Sequence, residues 1–478
     1  MTSIVWLRRN LRLDDNRTVA RALAESDEVI LAHLWDAERT TFGSTNRLAF
    51  LIESLRDLES QCNDAGTRLI IRSGKTNESL VKVIEETNAV HVYYDNNYEA
   101  YERARDEKAF SEVSKLGVAC IGVKDNVLFE KGEVVTGEGK PYTVYTPFKK
   151  NIWQWLDEAT DLTKAPSSYK PYSKIDSLST YSLPSIDKLP KDELSPNRLQ
   201  IGGSSVAKKL WNDWKKINLG EYKDMRDKLS LAKGTSKLSA HLKFGTISVS
   251  RLIQESLRIT EKNPNAKLGA DIYISELLWR EFYYNILQSF PNVESEAFQK
   301  RYSLVKWEEN ASHLQAWQEG KTGVPVVDAA MRELLETGYM HNRARMIVAS
   351  FLTKDLLINW QHGELHFMKY LTDGDIAQNN GGWQWSASTG TDAQPYYRIF
   401  NPYLQSKKFD PDGEYIKRFI PELQNIPPKW IHEPHLLSPL ELASYGVDLG
   451  KDYHFPIVDH YVQREKAKKM FEAVKDLR

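Results

Sequence analysis

The first 130 residues alternate five short apolar runs with four amphipathic stretches, and this alternation restricts the fold more than any other feature of the chain. Strands and helices that take turns in this way indicate a doubly wound parallel sheet covered by helices on both faces. Ligands of such sheets bind beyond the carboxyl ends of the strands. No Gly-x-Gly-x-x-Gly follows the first run, which argues against an ordinary dinucleotide site there. The predicted strands are 4–7, 29–35, 68–71, 90–94 and 118–123, and the predicted helices are 17–25, 44–65, 76–87 and 98–116.

The pattern changes along the rest of the chain. Residues 157–205 contain five prolines and ten serines without sustained periodicity. Each proline removes a backbone donor and fixes φ, and a loop of this length is better explained as crossing between two cores than as part of one. From about Ser205 onward the periodicity is almost entirely helical. We therefore predict an α/β domain at 1–130, a connector at 131–205 and an all-α domain at 206–478.

Composition narrows the possible classes of protein. The chain has 478 residues, 41% hydrophobic and 27% charged, as in ordinary globular proteins with more than one core. Two cysteines, Cys62 and Cys120, cannot build a tetrathiolate metal site and indicate a reducing compartment. No run approaches the roughly 18 apolar residues of a spanning helix, and the amino terminus lacks a signal-peptide layout. We therefore expect a cytoplasmic protein without a membrane partner.

The overall charge does not indicate a nucleic-acid partner. Because 64 basic residues face 65 acidic ones, the net charge is −1, and any such partner would need a local basic rim. The 13 tryptophans and 23 tyrosines are more informative. For any single tryptophan, an aromatic-rich core remains the simpler explanation.

A segment rich in hydroxyl groups, Gly234–Ser239, precedes a predicted helix. Hydroxyls and unpaired amides at a helix start suit a phosphate group, because the donors are available and the helix dipole is positive there. A plain Ser/Thr helix cap explains the same pattern when the segment is taken alone.

A predicted helix at 271–289 carries Glu276, Trp279, Arg280 and Tyr283 at spacings of three and four, which places them on one face. An exposed Glu276–Arg280 ion pair beside a core tryptophan is the alternative, and such pairs contribute little. A second segment of similar composition favours a site.

The second segment begins at Tyr339 and is predicted to continue as an apolar helix to Trp360. Asn342, Arg345 and Met346 share a face of it, and its two arginines, Arg343 and Arg345, would be costly to bury without anionic partners. The preceding His341 is interpreted as a structural hydrogen-bonding residue, because no metal-ligand spacing lies nearby.

A third segment combines Asp373 and Asp375 with Trp383 and Trp385. Residues two apart on a helix point about 200° apart, so one tryptophan could line a pocket while the other lies deeper. No third hard ligand accompanies the two aspartates, and we predict no metal. Carboxylates also accept hydrogen bonds from a ribityl chain, a ribose or a flavin ring.

Taken together, these segments resemble the FAD-binding half of the photolyase and cryptochrome family, closest to the class I cyclobutane pyrimidine dimer photolyases. The resemblance covers nearly the whole chain, and it implies an antenna-type α/β domain followed by a helical FAD- and DNA-binding domain. The motifs that carry it, in order, are Val5–Arg12, Tyr145–Phe148, Thr235–Ser239, Glu276–Tyr283, Gly338–Met346 and Asp373–Asn401.

The resemblance implies a U-shaped FAD held by the helical domain. Asn379 matches the position facing flavin N5, where an amide favours the reduced anion. Tyr273 and Tyr339 replace tryptophans of close relatives and keep an aromatic wall. The residues expected at the phosphates and ribityl chain are Tyr222, Thr235, Ser236, Lys237, Leu238 and Ser239, and those around the sugar and isoalloxazine are Arg280, Arg345, Asp373, Asp375 and Asn379.

The resemblance also implies DNA containing cyclobutane pyrimidine dimers, double- or single-stranded, as the partner of a monomer. A dimer must leave the duplex to reach such a pocket, and photolyases are among the known base-flipping enzymes. Trp279 and Trp385 would embrace it, Glu276 and Asn342 would bond its base edges, and Met346 would pack against it. The phosphate-contacting positions would be Arg226, Arg280, Arg343, Arg398 and Lys407, with Lys408 as a neighbouring candidate.

The implied reaction begins with light absorption by reduced, anionic FAD, which donates one electron to the dimer. Both ring bonds break, and the electron returns to the flavin. The protein places and tunes the cofactor. Trp383, Trp360 and Trp307 match the family's electron relay, with Trp383 nearest the flavin and Trp307 at the surface.

A second, antenna chromophore is common in the α/β domain of this family. Glu102 matches a folate-contacting position, whereas Tyr101 and Phe42 depart from the folate-binding pattern. The alternatives are therefore methenyltetrahydrofolate, 8-hydroxy-deazaflavin or no antenna.

Three other activities within the family compete with this interpretation. A (6-4) photolyase typically has adjacent histidines where this chain has His341 and Asn342. A DASH-type cryptochrome has Gln and Tyr where this chain has Glu276 and Trp385. A cryptochrome photoreceptor without repair activity is expected to have a long disordered tail, and no such tail follows the last helical run.

Overall fold

A computed structural model describes residues 1–36, 43–164 and 166–475, so Phe42 lies outside the described residues. The chain divides into two compact units. The first unit comprises Met1–Glu193, Gln200–Lys223 and Ser236–Pro291, and the second comprises Leu194–Leu199, Asp224–Thr235 and Asn292–Arg478. The domain boundaries at 130 and 205 stay predictions.

The first unit is built on a five-stranded parallel sheet with strand order β3-β2-β1-β4-β5. The central strand pairs on both sides, with Ile4 opposite Ile30 on one neighbour and opposite Val92 on the other. It is buried from Ser3 onward, which accounts for its continuous apolar run. The predicted doubly wound sheet is confirmed. The strands are β1 (Thr2–Trp6), β2 (Glu28–Trp35), β3 (Leu69–Ser73), β4 (His91–Asp95) and β5 (Ala119–Val123).

Among the described residues, four helices connect these strands, and local signals explain where they begin and end. Asn16 caps the first of them through its side-chain oxygen, which accepts from the backbone N–H of Val19. Asn88 ends the third in a left-handed conformation, with φ of 54°. The four predicted helices are confirmed to within about two residues. They are α1 (Arg17–Glu25), α2 (Thr45–Asp64), α3 (Thr76–Thr87) and α4 (Ala100–Ser114).

Part of the predicted connector lies along this sheet. The backbone N–H of Val29 donates to the carbonyl of Lys170 (2.7 Å), and that of Tyr181 donates to Ile71 at the β3 edge (2.8 Å). Between residues 166 and 203, its regular structure consists of two short 3-10 turns, Ile175–Ser177 and Ile186–Lys188. The proline-rich composition therefore corresponds to an extended segment that hydrogen-bonds to the sheet.

From about Ser205 onward the described chain is helical, as predicted, but two further helices, Tyr145–Trp153 and Leu156–Ala159, lie within the stretch predicted as connector. None of the described helices combines the length and apolar character needed to cross a membrane. The helices up to residue 289 are Tyr145–Trp153, Leu156–Ala159, Ser204–Asn218, Tyr222–Met225, Ser239–Phe244, Val249–Lys262 and Lys267–Ser289. Those that follow are Ala311–Gln318, Pro325–Thr337, Asn342–Ser350, Trp360–Tyr370, Ile376–Ala387, Pro402–Phe409, Glu414–Phe419, Pro439–Ser444 and His460–Glu472.

The prediction of one apolar helix running as far as Trp360 is wrong. A π-helical turn at Phe351–Asp355 ends it, and Leu357 then takes a left-handed φ of 58° that interrupts helical geometry. Asn359 caps the next helix, because its side-chain oxygen accepts from the backbone N–H of Gln361 (3.1 Å). Trp360 therefore begins a new helix.

The core of the second unit surrounds the helix Pro325–Thr337. Its buried side chains belong to one apolar cluster with residues of several neighbouring helices, Ile347 and Ile416 among them. Asp328 on the same helix accepts hydrogen bonds from Thr322 and, at 2.6 Å, from the hydroxyl of Tyr453. These bonds compensate for burying a carboxylate within an apolar cluster.

Candidate functional site

The hydroxyl-rich segment is divided at its centre between the two units, after Thr235. In the first unit, Ser236 accepts a hydrogen bond from the Tyr273 hydroxyl (3.2 Å), and Gln200 donates to the Lys237 carbonyl and the Ser239 hydroxyl. Lys237 has a φ of 56°, which is uncommon for a residue with a side chain and occurs at functional turns. The segment therefore forms a strained turn directly before the helix Ser239–Phe244, as the sequence predicts.

Each unit has a tyrosine, singled out by the sequence, that contacts the part of this segment belonging to its own unit. Tyr273 belongs to an aromatic cluster in the first unit, stacked on Trp211 at 5.5 Å and meeting Tyr222 edge-on at 5.3 Å. In the second unit, the Tyr339 hydroxyl lies 3.3 Å from the Thr235 hydroxyl. Burial raises the pKa of Tyr339 to about 12, so its hydroxyl stays protonated. Within its own unit, each tyrosine therefore orients one hydroxyl of the segment, and the aromatic wall stays a prediction.

The helix Lys267–Ser289 presents half-buried Glu276 and Trp279 one turn apart. Tyr145 stacks on the Trp279 indole with ring centroids 3.6 Å apart and planes 11° apart. Its hydroxyl donates to the backbone carbonyl of Ser275 (2.6 Å). One face of Trp279 is therefore committed to Tyr145. Tyr145 lies in a motif that carries the family resemblance, but no pattern in the sequence pairs it with Trp279.

Arg280 points into the interior of the first unit. Its guanidinium donates to Glu281 (2.9 Å) and to Asn126 (2.7 Å), and it lies over the Tyr284 ring. Burial raises the pKa of Glu281, and the Arg280 charge opposes that rise. Two N–H groups of Arg280 are used inside the unit, so its predicted contacts with FAD and with DNA stay predictions.

In the second unit, Arg345 and Asp373 form an ion pair in which one guanidinium nitrogen contacts both carboxylate oxygens. One guanidinium nitrogen of Arg345 lies 3.1 and 2.9 Å from the two Asp373 oxygens, and Nε donates to the Met340 carbonyl (2.8 Å). Burial lowers the pKa of Arg345, but the Asp373 charge outweighs it and the net shift is upward. The anion that the sequence required for Arg345 is therefore present in the chain itself.

His341 caps the helix Asn342–Ser350, as a structural histidine should. Its Nδ1 accepts a hydrogen bond from the backbone N–H of Arg343 (3.1 Å). Burial lowers the pKa of His341 to about 4, so the ring is neutral at pH 7 and Nδ1 can accept. Asn342 and Met346 lie on one face of this helix, with the amide nitrogen 3.8 Å from the sulfur.

The helix Ile376–Ala387 carries Asn379, and a backbone carbonyl of the preceding helix fixes the orientation of that amide. Asp375 caps the helix by accepting from the backbone N–H of Ala377 (3.2 Å). Asn379 Nδ2 donates to the backbone carbonyl of Glu364 (3.0 Å). The nitrogen end of the amide is thereby committed, and Oδ1 is the end suited to accept from a ligand.

Two buried amides, next to Asn379 in space, anchor the same helix. Asn380 and Gln384, one turn apart, both donate to the Val293 carbonyl, at 2.9 and 3.1 Å. Gln384 also accepts from the backbone N–H of Phe298 (2.8 Å), and Asn380 donates to the Glu364 carboxylate (3.0 Å). The sequence shows these residues in its third segment but does not show that they anchor the helix.

Glu364 is expected to make stability depend on pH. Burial raises its pKa to about 7 from a usual 4.5, with Glu294 adding to the rise. As the pH rises from 4.5 towards about 7, Glu364 loses its proton in the unfolded chain but keeps it in the folded chain. The free energy of unfolding therefore falls over this pH range. We expect Glu364→Gln, which keeps an acceptor for Asn380, to stabilise the protein by about 2 kcal/mol more at pH 8 than at pH 5. Urea unfolding of both proteins measures this, and an equal effect at both pH values would contradict it.

The two neighbouring tryptophans of the third segment lie in different environments, as predicted. Trp383 is 2% exposed and packs edge-on against Phe367 (5.0 Å) and Trp317 (6.0 Å), whereas Trp385 is half-buried. Trp360 is buried at the start of its helix. Trp307, expected at the surface, is half-buried and meets Phe471 edge-on at 5.9 Å.

Several cations predicted to contact DNA already have carboxylate partners. Arg343 lies 3.0 Å from Asp227 and over the Phe409 ring. The Arg226 guanidinium lies 4.0 Å from the same aspartate. Lys407 pairs with Glu433, and Arg398 is exposed. Phosphate binding by these residues therefore stays a prediction and would require competition with the carboxylates.

The donor set fits a flavin nucleotide. Trp383 Nε1 is buried without a hydrogen-bond partner among the described residues, and such a donor is costly unless a ligand accepts from it. Within the second unit, the Thr235 hydroxyl, the Arg345–Asp373 pair and the Asn379 amide are donors and acceptors of the kinds that phosphate, ribityl and ring groups require. No cluster of three or more His, Cys, Asp or Glu side chains within the described ranges could hold a metal.

Comparison with known proteins identifies the family. One family model, described as DNA photolyase, matches residues 3–168, and another, described as the FAD-binding domain of DNA photolyase, matches residues 273–473. The chain is 38% identical to the deoxyribodipyrimidine photo-lyase of Escherichia coli, with 99% of each chain covered. It is 37% identical to the protein of that name from Halobacterium salinarum, with 98% of each covered.

Solved structures are similar over the same length. A class III photolyase from Agrobacterium tumefaciens has a TM-score of 0.87 at 33% identity, covering 99% of this chain and 98% of that one. A Synechocystis cryptochrome has a TM-score of 0.90 at 29% identity, covering 98% and 99%. The resemblance stated from the sequence is thus confirmed, and the chain, with its α/β domain and its FAD-binding domain, belongs to the DNA photolyase family.

Proposed function

We propose that this chain is a light-dependent DNA repair enzyme, a deoxyribodipyrimidine photo-lyase that splits cyclobutane pyrimidine dimers. The observation that carries the proposal is its likeness, over the full chain, to proteins of that name at 37–38% identity. The half-buried indoles of Trp279 and Trp385 and the half-buried Glu276 carboxylate support it, because a dimer is a bulky apolar object with carbonyl and imide edges.

The FAD site is proposed on the residues of the strained turn and of the second unit. Tyr222 and residues 235–239 would hold the phosphates and ribityl chain, while Arg345, Asp373 and Asp375, with Arg280, would surround the sugar and ring. When bound in its reduced anionic form, FAD supplies a light-driven source of one electron. Asn379 would present Oδ1 to flavin N5, which carries a proton in reduced flavin, so this acceptor favours the reduced state.

The substrate pocket is proposed on five side chains. Trp279 and Trp385 would stack against the flipped-out dimer, Glu276 and Asn342 would hydrogen-bond its base edges, and Met346 would pack against it. Damaged bases stack and pair poorly, so extrusion costs less for a dimer than for normal DNA. Glu276 would also stabilise negative charge on the dimer through its hydrogen bond.

An electron relay is proposed on three tryptophans. Trp307, Trp360 and Trp383 would pass an electron inward to return oxidised flavin to its active reduced state. The burial of Trp360 and Trp383, together with the partial exposure of Trp307, supports an inward direction. Repair by protein that is already reduced would not need this relay.

Dimer-containing DNA is the proposed partner of a monomeric, cytoplasmic enzyme. Arg226, Arg280, Arg343, Arg398 and Lys407 would contact its phosphates, which positions the strand without reading its sequence. Binding should then weaken as salt is added. Cys62 and Cys120 are free thiols, which supports a reducing compartment.

The antenna assignment is sharpened by Glu102. Its side chain is fully buried, 3.9 Å from the Arg9 guanidinium, which also pairs with Glu99 (2.8 Å). We propose that Glu102 holds Arg9 rather than a folate. An absorption spectrum of the purified protein tests this, since methenyltetrahydrofolate, 8-hydroxy-deazaflavin and FAD alone have different bands, and a folate band lost in Glu102→Gln would contradict it.

A cryptochrome photoreceptor is the second candidate, favoured by the TM-score of 0.90 to a cryptochrome. A shared fold does not decide between repair and signalling, whereas the site does. Illumination of the purified, reduced protein with dimer-containing DNA separates the two. Disappearance of dimers is the expected result, and unchanged dimers would favour the photoreceptor. A (6-4) photolyase would instead repair only (6-4) lesions.

Glu276→Ala is expected to lower repair by about tenfold, the loss associated with one hydrogen bond to a charged group, and to leave FAD bound. Glu276→Gln, which still hydrogen-bonds, should lose less. Dimer loss per absorbed photon and the flavin-to-protein absorbance ratio provide the two measurements. Glu261→Ala, at an exposed helical position of the same unit, is the control. Loss of FAD in Glu276→Ala would contradict the proposed division of the site.

A further inference from the structure

Gly363 lies in the interior of the helix Trp360–Tyr370, where glycine is an unfavourable choice. Among ordinary residues it is the weakest helix former, because it loses the most backbone freedom. The residue is buried and has no positive φ, so neither a turn nor a left-handed conformation requires it. Its presence therefore calls for a reason in the packing.

The reason is the Trp383 indole. A Cβ atom built on Gly363 would lie 2.1 Å from Trp383 Cη2, 2.5 Å from Cζ3 and 2.6 Å from Cζ2, distances that real Cβ atoms do not reach. The indole has little room to withdraw, because Phe367 and Trp317 pack against it. The missing side chain of Gly363 is thus the space that the outer indole ring occupies.

The same contact places Trp383 beside Trp360. Residues three apart on a helix lie on one face, about one turn from each other, and Gly363 is three residues after Trp360. An indole seated directly on the Gly363 backbone is therefore one helical turn from Trp360. Any residue larger than glycine would push the ring away from this helix or rotate it.

We propose that Gly363 is a positioning residue of the electron relay, which seats the Trp383 indole against the helix that begins with Trp360. The role in the relay rests on the proposed function, whereas the packing of the Trp383 indole against Gly363 does not. Since reduced enzyme repairs without the relay, Gly363 should matter for photoreduction of oxidised flavin and much less for repair by reduced protein.

The first test compares these two activities in Gly363→Ala. Blue light and an external thiol reduce oxidised FAD, followed at 450 nm, and repair is measured separately on chemically reduced protein. We expect photoreduction to fall towards the level of Trp383→Phe while repair stays near that of the parent. Gly137→Ala, where a Cβ meets nothing within 4 Å, is the matched control and should change neither. Unchanged photoreduction in Gly363→Ala would overturn the proposal.

The second test uses Tm and needs no activity. Gly363→Ala should lower Tm by at least about 2 °C through overpacking. In a Trp383→Phe background, which lacks the outer indole ring, the same substitution should leave Tm unchanged or raise it. Equal Tm losses in both backgrounds would overturn the packing role of Gly363. If Gly363→Ala alone fails to fold, folding of the variant that also carries Trp383→Phe supports the packing role. Unchanged photoreduction in Trp383→Phe would instead overturn the relay itself.

Discussion

Asp373→Asn is expected to lower the free energy of unfolding by about 3 kcal/mol, the low end for breaking a buried ion pair, and to yield protein that retains little FAD. The Asp373 side chain is 4% exposed and that of Arg345 is 26% exposed. Removal of the carboxylate charge therefore leaves a largely buried guanidinium without its anionic partner. Both side chains are proposed to hold the flavin, so cofactor and stability should fail together.

A pair in the same unit with a similarly exposed arginine but a much more exposed carboxylate provides the control. Arg332 donates to both oxygens of Glu422, at 2.9 and 3.1 Å, with side chains 23% and 34% exposed. Glu422→Gln should therefore cost less than about 1 kcal/mol and leave FAD bound. Urea unfolding and the flavin-to-protein absorbance ratio measure both effects. Full FAD retention by a destabilised Asp373→Asn would show that the pair is structural only.

Periodicity predicted the elements of the first unit because each lies in the environment that its pattern describes. The central strand is buried on both faces and reads as an unbroken apolar run, and the surrounding helices have recognisable ends such as Asn16 and Asn88. Helical geometry alone also predicted that Trp383 and Trp385 lie in different environments, and Trp383 is buried whereas Trp385 is half-buried.

The interruption before Trp360 could not be predicted in the same way. Leu357 adopts a left-handed conformation that leucine does not favour, so neither composition nor periodicity marks the break. Only its surroundings in the folded unit over-determine such a conformation. The sequence therefore indicated where the apolar segment lies but not that two helices share it.

Partners distant in the chain were likewise beyond the sequence. The burial cost of Arg345 indicated that an anion was needed, and family resemblance supplied a flavin, yet Asp373 fills that role. Tyr145 on Trp279 is a contact between elements far apart in the chain, and the clash that identifies Gly363 is a contact between two successive helices. Such pairs depend on tertiary packing, which a single sequence does not encode in any local pattern.

Trp279→Ala is expected to weaken binding of dimer-containing DNA by about 5- to 150-fold, the range for removing one base–aromatic stacking platform. Tyr145 covers one face of the indole at 3.6 Å, so a base can stack only on what remains, and the ring is held rigidly before the substrate arrives. Affinity for undamaged DNA should change little, because phosphate contacts dominate it. Trp279→Phe, which keeps a smaller ring, should lose less.

Trp155, which is 49% exposed in the same unit, gives the matched control for removing an indole. Trp155→Ala should leave both affinities unchanged, measured by fluorescence anisotropy with dimer-containing and undamaged duplexes at one salt concentration. FAD content should be equal in all three variants, since Trp279 is assigned to the substrate. An equal loss of affinity for both duplexes would show that Trp279 supports the DNA-binding surface in general, and the dimer would then need another stacking partner.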